Sequence, residues 1–404
     1  MSIETANAAA EPAPEAVIAA EPPRAFLTPF NLISGLIILL GFYLTYLRFT
    51  GGLGAISNLS NNQPWGVWIG FDLLTGVALA AGGYTTAAAV YLFGQKQYHA
   101  AVRPAVLTGF LGYAMVVFAL LYDVGQPWRL PYPFVISPGV TSVMFEVGAC
   151  VALYLTVLLL EFSPAPLEWL GLSRLRQVMV KLTVPLTIFG VVLSTLHQSS
   201  LGAMFLLSPA KLHPLWYSSY LPVFFFVSSI AAGMSMVIFE GTLSHRFFGR
   251  QVDPEHHDQH RQTVLGFSRA ASLVLFGYFG IKVVGIAVGN HWDLLPTRYG
   301  VWFLFELIGF VAVPAFLFAV GARDKNQSLI RYTSLLTVLG IVLNRLNVSL
   351  IVFNWHLPAA QKYSPHWMEI ALSVYIVTVG LVLFRFIVNH MPILHDHPRY
   401  RASH

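Results

Sequence analysis

Residues 64–93 read PWGVWIGFDLLTGVALAAGGYTTAAAVYLF, a long apolar run whose single charge is Asp72. At ~1.5 Å per helical residue, about 20 such residues cross a hydrocarbon layer roughly 30 Å thick. Working outward, the pattern recurs along the chain. Apolar runs cover approximately Phe30–Phe49, Trp65–Phe93, Pro104–Asp123, Gly139–Leu160, Val178–His197, Tyr220–Leu243, Val264–Gly289, Tyr299–Gly321, Ile330–Ile351 and Trp367–Val388. Strands of a membrane barrel would be about 10 residues long with alternate residues polar, which these are not. The expectation is an all-α polytopic membrane protein with about ten transmembrane helices.

Composition points the same way. Charged residues make up 10% of the chain, hydrophobic residues 56%, and mean hydropathy is +0.66; soluble domains carry about 25% charged residues. Residues 1–29 are rich in Ala, Pro and Glu and lack the basic start and hydrophobic stretch of a secretory signal. They are read as a disordered cytoplasmic tail, followed by a transmembrane domain over 30–389 and a short cytoplasmic tail over 390–404. If the N-terminus is cytoplasmic, that side collects Arg174, Arg176, Lys181, Arg246, Arg250, Arg261, Arg269, Arg323, Lys325 and Arg331, among others. The opposite side holds Arg129, Lys211, Arg298 and Lys362. Basic residues favour the cytoplasmic side, so both termini are expected there, in a bacterial inner membrane. The pI near 9.2 then reflects topology and anionic lipid and gives no reason to expect nucleic acid. Cys150 is the one cysteine, so this chain by itself forms no disulfide and ligates no iron–sulfur cluster.

Against this apolar background the embedded charges carry the information. An ionisable group at the bilayer centre costs roughly 2.5–3.5 kcal/mol on insertion scales and persists only when paired or facing a cavity. Asp72, Glu146, Lys282, Glu306 and Arg345 interrupt apolar runs and His197 closes another. Counted along their spans, they reach one layer in the outer third of the bilayer, Glu146 lying about seven residues in, with Asp123 at the layer's edge. One reading is structural ion pairing, with Lys282 and Arg345 neutralising carboxylates. Three carboxylates against two permanent cations leave an acid over, however, which suits a polar chamber that exchanges protons.

Trp65, Trp68 and Asp72 follow i, i+3, i+7 spacing, which on one helix face makes an aromatic wall beside an acid, fit for a ring-shaped ligand; two tryptophans here also suit headgroup anchors. His197, in Leu196-His197-Gln198-Ser199-Ser200, is placed to bind a carbonyl and pass a proton, or simply to cap a helix end. Tyr113, mid-span, is a candidate for a proton path. Glu161 and Glu240, near cytoplasmic helix ends, read either as solvated caps or as a proton inlet.

Bis-histidyl haem needs two embedded imidazoles at matched depth, and His197 alone is embedded, so no haem is expected. His256, His257 and His260 fall in what reads as a polar cytoplasmic loop, and no metal site is expected. No phosphate-cradling glycine loop or nucleotide fingerprint occurs. The outer loops Pro127–Ser137, Leu206–Tyr220 and Asn354–Pro365 are aromatic and weakly charged, as suits either a docking platform or contact with headgroups.

Several motifs resemble a known family: Pro-Trp-Gly-Val-Trp-Ile-Gly-Phe-Asp (64–72), Ala-Gly-Gly-Tyr (81–84), Tyr-His-Ala-Ala-Val-Arg-Pro-Ala (98–105), Leu-Glu-Phe-Ser-Pro-Ala (160–165), Leu-His-Gln-Ser-Ser-Leu-Gly (196–202), Pro-Leu-Trp (214–216) and Met-Val-Ile-Phe-Glu (236–240). Over Pro29–Val388 the chain resembles the HybB-type membrane subunit of nickel–iron hydrogenases, within the NrfD-like (polysulfide-reductase membrane-subunit) superfamily. That resemblance implies two four-helix bundles plus peripheral helices, and no haem or iron–sulfur cluster in this chain. It implies electron exchange between a periplasmic ferredoxin-like iron–sulfur subunit, partnered by the hydrogenase small and large subunits, and membrane quinone, menaquinone foremost, as exchangeable substrate. By motif match, Asp72, Tyr113, Glu146, His197 and Glu240 would bind quinone or carry protons. The site expected is therefore Asp72, His197 and Glu146 with Trp65 and Trp68 for quinone. Tyr113, Glu161 and Glu240 would carry protons, and Lys282, Glu306 and Arg345 would balance charge. An ion-coupled secondary transporter or a purely structural anchor is the alternative.

Overall fold

The computed structural model describes residues 28–395, so the expectations for residues 1–27 and 396–404 lie outside the described residues. Ten helices are long and apolar enough to span a membrane: α1 (Pro29–Gly51), α2 (Trp68–Leu92), α3 (Lys96–Asp123), α4 (Val143–Trp169), α5 (Thr183–Leu206), α6 (Leu221–Gln251), α7 (His256–Gly289), α8 (Arg298–Arg323), α9 (Gln327–Ile351) and α10 (Trp367–His390). Every expected span has its helix. Among the described residues there is no strand, only a bridge between Leu212 and Phe353 that joins two loops.

Helices α2 to α5 pack as one four-helix bundle and α6 to α9 as a second; α6 lies against α5 and α2, and α1 and α10 pair with each other beside α3. The sequence explains the layout. In α2, 78% of the most apolar window is buried, against 17% in α1; α2 is built from Ala and Gly, whereas α1 turns Leu32, Ile33, Leu36 and Leu39 outward. Small residues let α2 and α6 touch backbone to backbone, since a Cβ on Gly233 would lie 2.6 Å from the Ala81 carbonyl carbon and 2.7 Å from Gly82 N.

Helix ends follow ordinary capping chemistry. Thr28 accepts from Asn31 N ahead of Pro29, and Asn326 accepts from Leu329 N to start α9. His366 and Glu369 form a reciprocal capping box on α10. Four stretches widen to π winding: Trp68–Leu73 and Ala88–Leu92 in α2, Ile308–Ala312 in α8 and Asn347–Ile351 in α9. Asp72 lies inside the first, Glu306 just before the third, and Asn347 opens the fourth, so three of the four sit at embedded polar residues.

Two boundaries differ from the hydropathy reading. Helix winding in α4 begins at Val143, which puts Glu146 in its first turn rather than about seven residues in. The helix containing α7 begins at Pro254, a residue suited to a first turn, so His256, His257 and His260 are helical and not in a loop. One end of the first bundle is tied by a carboxylate that hydropathy does not single out. Glu168, its side chain 0% exposed, accepts from Arg103 Nη1 at 3.0 Å and Nη2 at 2.9 Å, and from Arg176 Nε at 2.7 Å. It thereby joins α3, α4 and the short helix Ser173–Lys181.

Candidate functional site

Three embedded polar groups lie in or beside the first bundle. His197 on α5 is fully buried, and its Nδ1 lies 2.8 Å from Leu193 O. A carbonyl can only accept, so Nδ1 carries the proton and the neutral ring's Nε2 accepts from the Tyr113 hydroxyl of α3. Tyr154 of α4 packs edge-on to Tyr113 at a centroid distance of 4.8 Å, and its buried hydroxyl has no hydrogen-bond partner.

Asp72 on α2 is 6% exposed and accepts from Ser373 Oγ of α10 at 2.5 Å. One turn outward on α10, Glu369 accepts from Asn58 N and His366 N at 3.0 Å and from the Tyr363 hydroxyl. Trp68 packs against Tyr122 at 6.4 Å, and its indole N–H is buried without a partner. Glu146 is exposed on the first turn of α4 and accepts from Ser200 Oγ of α5 at 2.6 Å.

The second bundle holds the other set. Glu306 of α8 accepts from Trp216 Nε1 at 2.8 Å, from Asn344 Nδ2 at 2.6 Å and from Asn347 Nδ2. Arg345 donates to Asn344 Oδ1, Ser228 Oγ and Phe225 O, and its guanidinium lies 3.9 Å from the Phe225 ring centroid. Lys282 Nζ stands over Phe224 at 4.5 Å, Tyr278 at 5.6 Å and Phe303 at 5.9 Å. The direct ion pairing considered for Lys282 and Arg345 is therefore absent among the described residues. Neutral amide and indole donors hold the acid, and aromatic faces hold the cations.

The single outer chamber resolves into these local sets. Tyr113 joins His197, and Lys282, Glu306 and Arg345 share the second bundle. Among the described residues no hydrogen bond links Asp72, Glu146 and His197 to one another. The aromatic wall also separates: Trp65 precedes the helix and packs on Phe205 and Phe353, while Trp68 faces Tyr122. Helical spacing does not apply to a residue outside the helix. Ser373, Trp216 and Tyr154 were not singled out from sequence. Asn344 and Asn347, at i, i+3 within one apolar run, offered a signal that went unread.

Towards the same end as Glu168, Glu161 accepts from Thr187 Oγ1 at 2.9 Å and lines a cavity of about 100 Å³ with Tyr91, His99, Arg103 and His256. Glu240 accepts from Ser244 Oγ at 2.9 Å and lines a cavity of about 30 Å³. Ala100 and His256 belong to both linings.

At the opposite end, the loop between α5 and α6 folds over the second bundle and buries His213 against Tyr299 at 4.7 Å and Trp355 at 4.9 Å. Burial, and then nearby His291, push this imidazole down to about 4. Between an ordinary pKa of about 6.5 and that value, the unfolded chain binds a proton the folded chain refuses. Stability is therefore lost as pH falls through that window, by up to about 3 kcal/mol. Thermal unfolding in detergent at pH 7 and pH 4.5 should show a steeper loss in the parent protein than in His213→Phe; parallel losses would acquit His213.

Comparison with known proteins places this geometry in context. The family described as "Polysulphide reductase, NrfD" matches residues 55–354. The chain is 61% identical over 381 residues to a protein of Nitratidesulfovibrio vulgaris Hildenborough, covering 94% of this chain and 98% of that one. It is 33% identical to the "Probable Ni/Fe-hydrogenase 2 b-type cytochrome subunit" of Escherichia coli K12, over 92% of this chain and 95% of the relative. It is 27% identical to the "Menaquinone reductase, integral membrane subunit" of N. vulgaris, over 87% and 88% respectively.

Proposed function

Because the chain belongs to the NrfD family of polysulphide-reductase membrane subunits, we propose that it passes electrons between an iron–sulfur oxidoreductase docked on its outer face and membrane quinone. The partner class is a ferredoxin-like subunit working with nickel–iron hydrogenase subunits, and the quinone is menaquinone; the names of two relatives support this. The observation that carries the reading is Asp72, an acid buried in a π-wound turn of a membrane-spanning helix, bonded to a hydroxyl and, among the described residues, to no cation. An embedded acid without a counter-charge marks a functional site.

Reduction of a quinone consumes two electrons and two protons, one for each ring oxygen. Asp72 supplies a proton at the α2–α10 side, and the Tyr113–His197 pair passes the second once its imidazole has taken one up at Nε2, after which the ring is neutral again. Glu146, exposed beside Ser200, suits a ring arriving from the bilayer. Glu161 and Glu240 bring protons from the inner face, and Lys282, Glu306 and Arg345 set the field in the second bundle.

One relative's name mentions a b-type cytochrome, yet the imidazoles here do not fit a bis-histidyl haem. Both nitrogens of His197 are hydrogen-bonded. The His245 and His260 rings lie face to face at 3.9 Å, too close to ligate an iron from opposite sides. We therefore assign a haem-free role. The complex isolated through a tag on this chain should reduce a menaquinone analogue with its natural electron donor and give no stoichiometric haemochrome spectrum in pyridine. One haem per chain, or dye reduction without quinone reduction, would overturn the assignment.

A further inference from the structure

At the inner ends of α6 and α7 two imidazoles are stacked. The His245 and His260 centroids are 3.9 Å apart with planes 21° from parallel, and His257 stands edge-on 5.2 Å from His245. Gly241 makes room for the stack, since a Cβ there would lie 2.8 Å from His260 Cε1. His245 Nδ1 donates to Gly241 O at 2.8 Å, which leaves the neutral ring's Nε2 as a lone pair. Nε2 of both rings is buried without a hydrogen-bond partner. Buried polar atoms in this condition call for an occupant.

The space for one is present. His245, His256 and His260 line the cavity of about 30 Å³ that also reaches Glu240 and Ser244, room for about two water molecules. Glu240 lies deeper on α6 and is 8% exposed, whereas His257 is exposed. The charged and titratable groups facing the stack are His256 and His257 from α7, Glu240 from α6 and Arg331 from α9. Arg331 disfavours a divalent cation here, and among the described residues no three ligands converge on a metal position. Two protonated rings at this separation would repel, so the stack handles one proton at a time.

We propose that His245 and His260 form an imidazole relay that conducts protons from the inner surface to Glu240. A proton taken up at His257 or from bulk water passes through cavity water to an imidazole Nε2. The resulting imidazolium returns it through water to the Glu240 carboxylate and is neutral again. The relay rests on the reading of Glu240 as a proton carrier, and the test separates the two.

The whole complex, with its natural donor, is reconstituted in proteoliposomes with a pH dye on the inner-face side. His245→Gln and His260→Gln, singly and together, should slow proton uptake about tenfold or more. Quinone reduction should fall in step with uptake while the partner's dye-linked activity stays within about twofold of the parent, and added imidazole should restore uptake by His260→Gly. Unchanged uptake in both single variants would overturn the relay and leave Glu240 standing. Quinone reduction by the parent complex without any proton uptake would overturn both. Because each single variant is read against its own dye-linked rate, a poorly assembled variant is recognised by loss of that rate. Imidazole rescue then decides the matter, and absence of rescue counts against the relay.

Discussion

Asp72→Asn and His197→Ala should each lower quinone-linked turnover by about a hundredfold or more, while the partner enzyme's activity with an artificial dye stays unchanged. Asp72→Asn keeps size and can still hydrogen-bond Ser373 Oγ, the hydroxyl that donates to the acid, but it removes the exchangeable proton. His197→Ala takes away the acceptor for Tyr113 and opens a void beside Tyr154. The two changes act in separate places, so their agreement would tie both polar sets to one reaction. Full quinone turnover in Asp72→Asn would remove that residue from the chemistry. Loss of dye activity together with quinone activity would trace the defect to assembly, which the amount of partner co-purifying with the tagged chain reports directly.

The largest structural effect is expected at Glu168→Ala, a loss of about 3–5 kcal/mol, because a buried carboxylate shared by two arginines is removed. Arg176, whose side chain is 4% exposed, and Arg103 both donate to this carboxylate. Replacing Arg176 by Met in the Glu168→Ala background should recover part of the loss, since a buried cation that has lost this carboxylate goes with it. Thermal unfolding of the purified protein in detergent, supported by its yield in membranes, measures the effect. A Glu168→Ala protein as stable as the parent would show that water reaches both arginines.

What the sequence revealed and what it hid have physical causes. Asp72, Glu306 and Arg345 were legible because each breaks a long apolar run, and a charge in such a run is expensive wherever it points. Their partners were not. A serine such as Ser373 costs little in a membrane helix, because its hydroxyl can bond to its own preceding turn, so nothing in the string marks the one that instead reaches Asp72. Distances counted along spans give depth alone, which is one coordinate of three. Residues at one level in different bundles, such as His197 and Glu306, need not meet. Trp65 and Trp68 were misjudged together because helical spacing assumes a helix, and winding starts only after Trp65. The histidines at 256, 257 and 260 were put in a loop because hydropathy marks where lipid begins, and a helix does not end there.

The π-wound turns have a consequence for heredity. Each holds one residue more than α winding would need, so the extra residue is absorbed within the turn instead of rotating everything after it by about 100°. Deleting a single codon within Trp68–Leu73 would let that turn close to α winding and leave the Ala and Gly faces on their seam with α6. The same deletion in the α-wound part of the helix would swing those faces away from it. Insertions and deletions are therefore tolerable in register at the π-wound turns and not between them, where the reading frame of the helix is as much a part of the site as Asp72.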